Sequence, residues 1–239
     1  MVKAGCLVHV YNLGAAGWES FVWGSPERGL MGVLPKLVQL LLVEDPDEPI
    51  DKIILYTGPS KKDGLDESEY TKRFLLDHCD KLESFRELDS LLRNLDDTGR
   101  ATLRKRLEGI VNGHQIANTA AEVINAAAFF REHGITKVYQ LAIASHAPRC
   151  IKAQAVARYT HQIPAEQFWY TIAAETSFKG TTPDDVVIAE PPHRLDDPEL
   201  GVHPGMTDVL KRYYELSYEQ RTPFLKGIEN ILDSFPGKE

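Results

Sequence analysis

Residues Thr136 to Ile143 read TKVYQLAI and run on through Ala144-Ser145-His146-Ala147-Pro148-Arg149. A β-branched and aromatic run that stops at small residues predicts a buried strand, and Pro148 suits the first turn of a helix over about Cys150 to Tyr159. Just upstream, Ala120 to His133 is helical in pattern and closes at Gly134, a C-terminal signal. The same rhythm recurs nearer the N-terminus. Cys6 to Leu13 (CLVHVYNL) reads as a strand ending at Gly14, and Lys52 to Thr57 (KIILYT) as a second ending at Gly58-Pro59-Ser60. Between them, Leu30 to Val43 is apolar on most sides and predicts a core helix that Pro35 either opens or kinks. Strand, loop, helix, strand is the α/β pattern, with a mainly parallel sheet.

Working outward, Asp66 to Cys79 can be helical, with Asp66, Glu67 and Glu69 in a first turn where the helix dipole favours acids. Residues 81–111 place leucines at helical spacing on both sides of Asp96-Asp97-Thr98-Gly99 and predict a helical hairpin inserted into the sheet domain, a candidate cap. Phe168 to Ala174 and Val186 to Glu190 read as further strands, and two C-terminal helices are expected within 206–239. The whole chain, 1–239, is expected to form a single α/β domain.

The chain has 27 Lys and Arg against 35 Asp and Glu, a net charge of −8. An acidic chain without a basic cluster is not built to neutralise nucleic-acid phosphates. The longest apolar stretch is too short and too interrupted to cross a bilayer, and the N-terminus lacks a signal-peptide pattern, so no membrane contact and a cytoplasmic setting are expected. Cys6, Cys79 and Cys150 are widely spaced with no CxxC, and the eight histidines show no HxH or HExxH. Neither a disulfide framework nor a metal is indicated.

In a parallel α/β sheet the ligand lies at the carboxyl ends of the strands. That rule selects Asn12 to Gly17 with Asn12 and Gly14, Thr57 to Ser60 with Gly58, and Ser145 to Arg149. His146 and Arg149 stand at a helix start, where free backbone donors favour an anion, and an imidazole there can move a proton. The competing structural readings are that His146 caps the helix and Arg149 makes a surface ion pair. Thr119 and Glu122 likewise have the spacing of a capping box. Gly14-Ala15-Ala16-Gly17 lacks the full dinucleotide fingerprint. Cys150 at a helix start reads as packing, and Glu190-Pro191-Pro192-His193-Arg194 as a solvated loop.

Asn118-Thr119-Ala120-Ala121-Glu122, followed by a helix, a strand and His146-Ala147-Pro148-Arg149, resembles the signature of the DUF218 family, the YdcF-like proteins. Gly58 and Gly64-Leu65-Asp66-Glu67-Ser68-Glu69 resemble that family's glycine after the second strand and the acid at the next helix start. The likeness covers roughly residues 5 to 160, and Ala142-Ile143 stand where the family usually has Thr-Ser. It implies a doubly wound, Rossmann-like domain with one polar pocket lined by Asn118, Thr119, Glu122, His146 and Arg149, with Glu67 nearby. It also implies an anionic or nucleotide-like ligand, with S-adenosylmethionine as the candidate cofactor. His146 and Glu67 are then the candidate catalytic residues, His146 for proton transfer. The alternative is a non-catalytic ligand sensor, or an interaction module acting through the hairpin.

Overall fold

The computed structural model describes residues 3–177 and 216–233. The chain divides into two compact units, Met1–Val187 and Ile188–Glu239. In the first, five strands form one sheet: β1 (Ala4–Val8), β2 (Ile50–Thr57), β3 (Val111–Gln115), β4 (Lys137–Ile143) and β5 (Phe168–Ala174). Every pairing is parallel, and the order is β3-β2-β1-β4-β5. The chain therefore builds outward from β1 to β3, then returns to the other side of β1 and continues to β5. This is the doubly wound arrangement of a Rossmann-like fold, with its reversal of direction between β1 and β4.

Two apolar layers cover the sheet. Alternation along β1 sends Cys6 and Val8 to one face, where α1 (Trp18–Val22), α2 (Val33–Leu42) and α3 (Glu67–Asp77) pack with α4 (Arg86–Arg93) and α5 (Asp97–Glu108). Leu7 faces the other layer, built from α6 (Thr119–Glu132) and α7 (Ala147–Tyr159). Gly5 lies under α6, where a Cβ would come 2.5 Å from the Phe130 ring. A glycine there lets helix and sheet approach closely. Small buried residues of α7, Ala147, Cys150, Ala153 and Ala157, do the same for the neighbouring helix.

Several boundaries differ from the sequence reading, each for a local reason. β1 begins at Ala4 and ends at Val8 rather than Leu13: His9 N still donates to the Leu141 carbonyl at 3.0 Å, but further on the chain bonds to itself, Asn12 Oδ1 accepting from Gly14 N and Trp18 Nε1 donating to the Tyr11 carbonyl. Of the two readings of Pro35, the first-turn one holds, with α2 starting two residues before it. The proline stands third in the helix, within the first turn, where no intrahelical donor is missed. The helical stretch starts with a 3-10 turn over Cys79–Ser84 and stops at Glu108. Val111–Gln115 (VNGHQ) then forms an edge strand of half-buried and exposed residues, with no apolar alternation to reveal it. Leu82, Phe85, Leu88, Leu92 and Leu107 of the α4–α5 segment are buried in the same cluster as α2. Asp66 caps α3 as a capping box with Glu69. In the second unit the described residues form one helix, α8 (Tyr218–Asp233). The expected strand Val186–Glu190, the rest of the expected C-terminal helices and the His193-Arg194 cluster lie outside the described residues. Among the described residues no helix is long and apolar enough to cross a membrane.

Candidate functional site at the carboxyl ends of β1 and β4

The segment after β1 and the loop after β4 meet at the reversal point. Alternation after Val8 turns His9 toward the α6–α7 layer, where it is 1% exposed. Its Nδ1 lies 2.7 Å from Glu122 Oε2, and its Nε2 lies 2.9 Å from the carboxamide of Gln140, which is fully buried. His146 occupies the N-cap position of α7 but its side chain makes no cap hydrogen bond. The ring instead packs edge-on against His9, at 5.4 Å between centroids, and against Tyr11, at 5.6 Å. Its Nε2 lies 3.3 Å from Thr119 Oγ1. The Tyr11 hydroxyl accepts from Ile143 N at 2.9 Å and so closes the end of β4.

The two imidazoles are driven in opposite directions. Burial opposes a charge on His9, but the adjacent Glu122 and Cys150 outweigh it, and the pKa is pushed up to about 10. Burial, with His9 and then Arg149 nearby, pushes His146 down to about 3. The shifts run in opposite directions, so a charge is favoured on His9 and disfavoured on His146. The phenol of Tyr11 is held well above its usual range by burial, which dominates over the Ile143 hydrogen bond.

Outside this buried pair, Ala117, Asn118, Thr119 and Ala120 at the start of α6 face Arg149, Lys152, Ala153 and Val156 of α7 across a cleft of about 540 Å³. Asn118 caps α6 by accepting from Ala121 N at 3.0 Å. The capping-box reading of Thr119 and Glu122 is thereby corrected: Thr119 is the first helical residue, and Glu122 turns inward to His9. Arg149 is exposed and, among the described residues, makes no ion pair, so the surface-pair reading is corrected as well.

The remaining candidate residues form a second group. Glu67 is buried, and its carboxyl oxygens accept from Gly58 N at 2.7 Å, from Ser60 N at 3.1 Å and from the Ser60 hydroxyl at 2.5 Å. The same hydroxyl accepts from Leu13 N at 2.9 Å, which ties the loop after β2 to the loop after β1. A Cβ on Gly58 would lie 2.3 Å from the Glu67 carboxylate. Glu67, Gly58, Asn12 and Gly14 thus shape the neighbouring loops. None of the four lines the cleft.

His9, Gln140 and Lys152 are not singled out by the sequence, and Cys150 reads there only as packing. His9 carries a signal, a histidine inside an otherwise apolar strand run; Gln140 carries the same one. The structure brings one donor atom each of His9, His146 and Cys150 to within 4.8 Å of one another, which sequence spacing does not reveal. A metal on those atoms would have to displace Glu122 or Gln140 from His9, since both ring nitrogens are engaged. No protein-family model, curated protein or solved structure matches this chain.

Proposed function

We propose that the cleft between α6 and α7 binds an anionic or nucleotide-like small molecule, and that His146 transfers a proton there. The observation that carries the reading is the cleft itself: Arg149 and Lys152 stand opposite the first turn of α6 across a space of about 540 Å³. That is the size of an ordinary small-molecule pocket, about 300–1,000 Å³. A guanidinium, an ammonium and two helix starts favour phosphate or carboxylate. His146 reaches the cleft through Thr119, and as a neutral ring it can accept a proton. A bound anion offsets the charge of His9 and Arg149 and so raises the basicity of His146 while the ligand is present. Asn118 and Thr119 supply hydrogen bonds, Glu122 acts through His9, and Glu67 acts as a positioning residue for the loops rather than on the ligand.

This is the reading the YdcF-like motif residues also favour. S-adenosylmethionine belongs among the compounds to test, but no step is assigned to it. β2 ends at Thr57 and is followed by Gly58, without the acid that holds a ribose diol in dinucleotide sites, and the oxygens of Glu67 are occupied by Gly58 and Ser60.

The test is a thermal-shift screen of wild type and Arg149→Ala against nucleotides, S-adenosylmethionine, phosphosugars and anionic metabolites. A ligand at 100 times its Kd stabilises by about 2.7 kcal/mol, which a melting curve resolves. The reading expects at least one anion to stabilise the wild type and to lose that effect in the variant. Stabilisation that survives in Arg149→Ala, or none by any anion, contradicts it. With a ligand in hand, His146→Ala separates turnover from binding: an enzyme loses rate far more than affinity, and a sensor keeps much of its affinity.

A further inference from the structure

His9 has a partner on each ring nitrogen, and the groups behind Gln140 decide which of them donates. Gln154 Nε2 donates to the Trp169 carbonyl at 3.2 Å, which turns its Oε1 toward Thr171. The Thr171 hydroxyl gives its single proton to that oxygen at 3.1 Å. Only lone pairs of Thr171 Oγ1 then remain for the Gln140 carboxamide, 3.4 Å away. The structure sets Gln140 with Nε2 beside His9 Nε2 and Oε1 toward Thr171. The two ends of a carboxamide are interchangeable in shape, and the Thr171 proton favours the exchanged setting, with NH2 toward Thr171 and the carbonyl oxygen beside His9. The unexchanged setting asks one Thr171 proton to serve two acceptors. An Nε2 that faces a carbonyl oxygen carries hydrogen, and an Nδ1 at 2.7 Å from a carboxylate oxygen carries one too.

We propose that His9 is a buried imidazolium and the positioning residue that keeps His146 in its neutral form. The proposal deepens the reading of the cleft by giving His146 its protonation state, and it stands without any ligand. The titratable and charged groups around the pair are few. Glu122 comes from α6, Cys150 and Arg149 from α7, and Tyr11 from the loop after β1. Among the described residues, Glu122 is the one carboxylate on His9, and no carboxylate is paired with His146. Two cationic rings 5.4 Å apart in a buried pocket repel strongly, so the ring with the carboxylate takes the charge. The upward shift of His9 and the downward shift of His146 agree with that assignment.

The experiment is nitrogen-15 NMR of the histidine rings in the full chain, without added ligand. At about pH 7.5 both His9 nitrogens should carry hydrogen and His146 should show one bare nitrogen, retained on acidification to about pH 5. In Glu122→Gln, His9 should lose its charge and the titration of His146 should move up toward the ordinary 6.5. A bare nitrogen on His9 in the wild type overturns the proposal, and so does an unmoved His146 titration in a folded Glu122→Gln protein. If that variant does not fold, the wild-type spectrum decides alone. Because no ligand is used, failure here is independent of the thermal-shift result on Arg149→Ala, which tests the cleft by itself.

Discussion

Glu67 shows how a residue that looks catalytic in the sequence takes another task in the fold. Its carboxylate gathers Gly58 N, Ser60 N and the Ser60 hydroxyl. Removing it leaves buried donors without partners, at about 1–3 kcal/mol. Glu67→Ala should therefore lower the melting temperature by several degrees while anion binding in the cleft persists; loss of binding at unchanged stability would give Glu67 a direct role instead. Asn118→Ala removes the α6 cap and should cost about 1 kcal/mol by chemical denaturation. The legible part of the site is the part with a motif, since Asn118, Thr119, His146 and Arg149 sit next to recognisable turn and helix-start signals. His9 and Gln140 are not legible, because their meaning lies in the registration of β1 against β4, with Leu7 opposite Gln140. No local pattern encodes that pairing.

At the level of elements, the strands easiest to read in the sequence are those with long apolar runs. β2 and β4 are nearly continuous in this respect, and β5 spans the expected Phe168–Ala174. β3 escapes the sequence reading because an edge strand of Asn, Gly, His and Gln has no apolar face to announce it. The ribbon joining Lys61–Lys62 to Leu65–Asp66 turns at Asp63-Gly64, both at positive φ, as the Asp-Gly pair of a type I′ turn requires. The α4–α5 segment is anchored at its far end by Arg106, which grips Glu44 with two nitrogens and also donates to the Ile50 carbonyl at 2.8 Å. Close helix–sheet approach is equally specific. Gly5→Ala drives a methyl into the Phe130 ring and should destabilise by about 1–3 kcal/mol in a urea melt. A neutral result would mean that α6 can move away from β1.

For the whole molecule, the two histidines give stability a pH dependence of opposite sign on each side of 6.5. His9 has a folded pKa raised to about 10 from 6.5, so its contribution is complete below 6.5 and is lost as pH rises toward 10. His146 has a folded pKa lowered to about 3, so the unfolded chain binds the proton more tightly and stability falls as pH drops from 6.5 toward 3. Melting temperature from these groups should peak near 6.5. His146→Gln should flatten the acid side, and Glu122→Gln the alkaline side; unchanged limbs in both would remove the pair as a source. The doubly wound sheet is what makes this arrangement possible, because at the β1–β4 reversal a strand end and two helix starts converge. The central claim is that this convergence holds an anion, and the most direct measurement is a titration of isotope-labelled full-length protein with inorganic pyrophosphate, followed by backbone NMR. Saturable shifts at Thr119, Ala120, Arg149 and Lys152 that vanish in Arg149→Ala are the predicted result. Shifts confined to other surfaces, or shifts at these residues that persist in the variant, would contradict it.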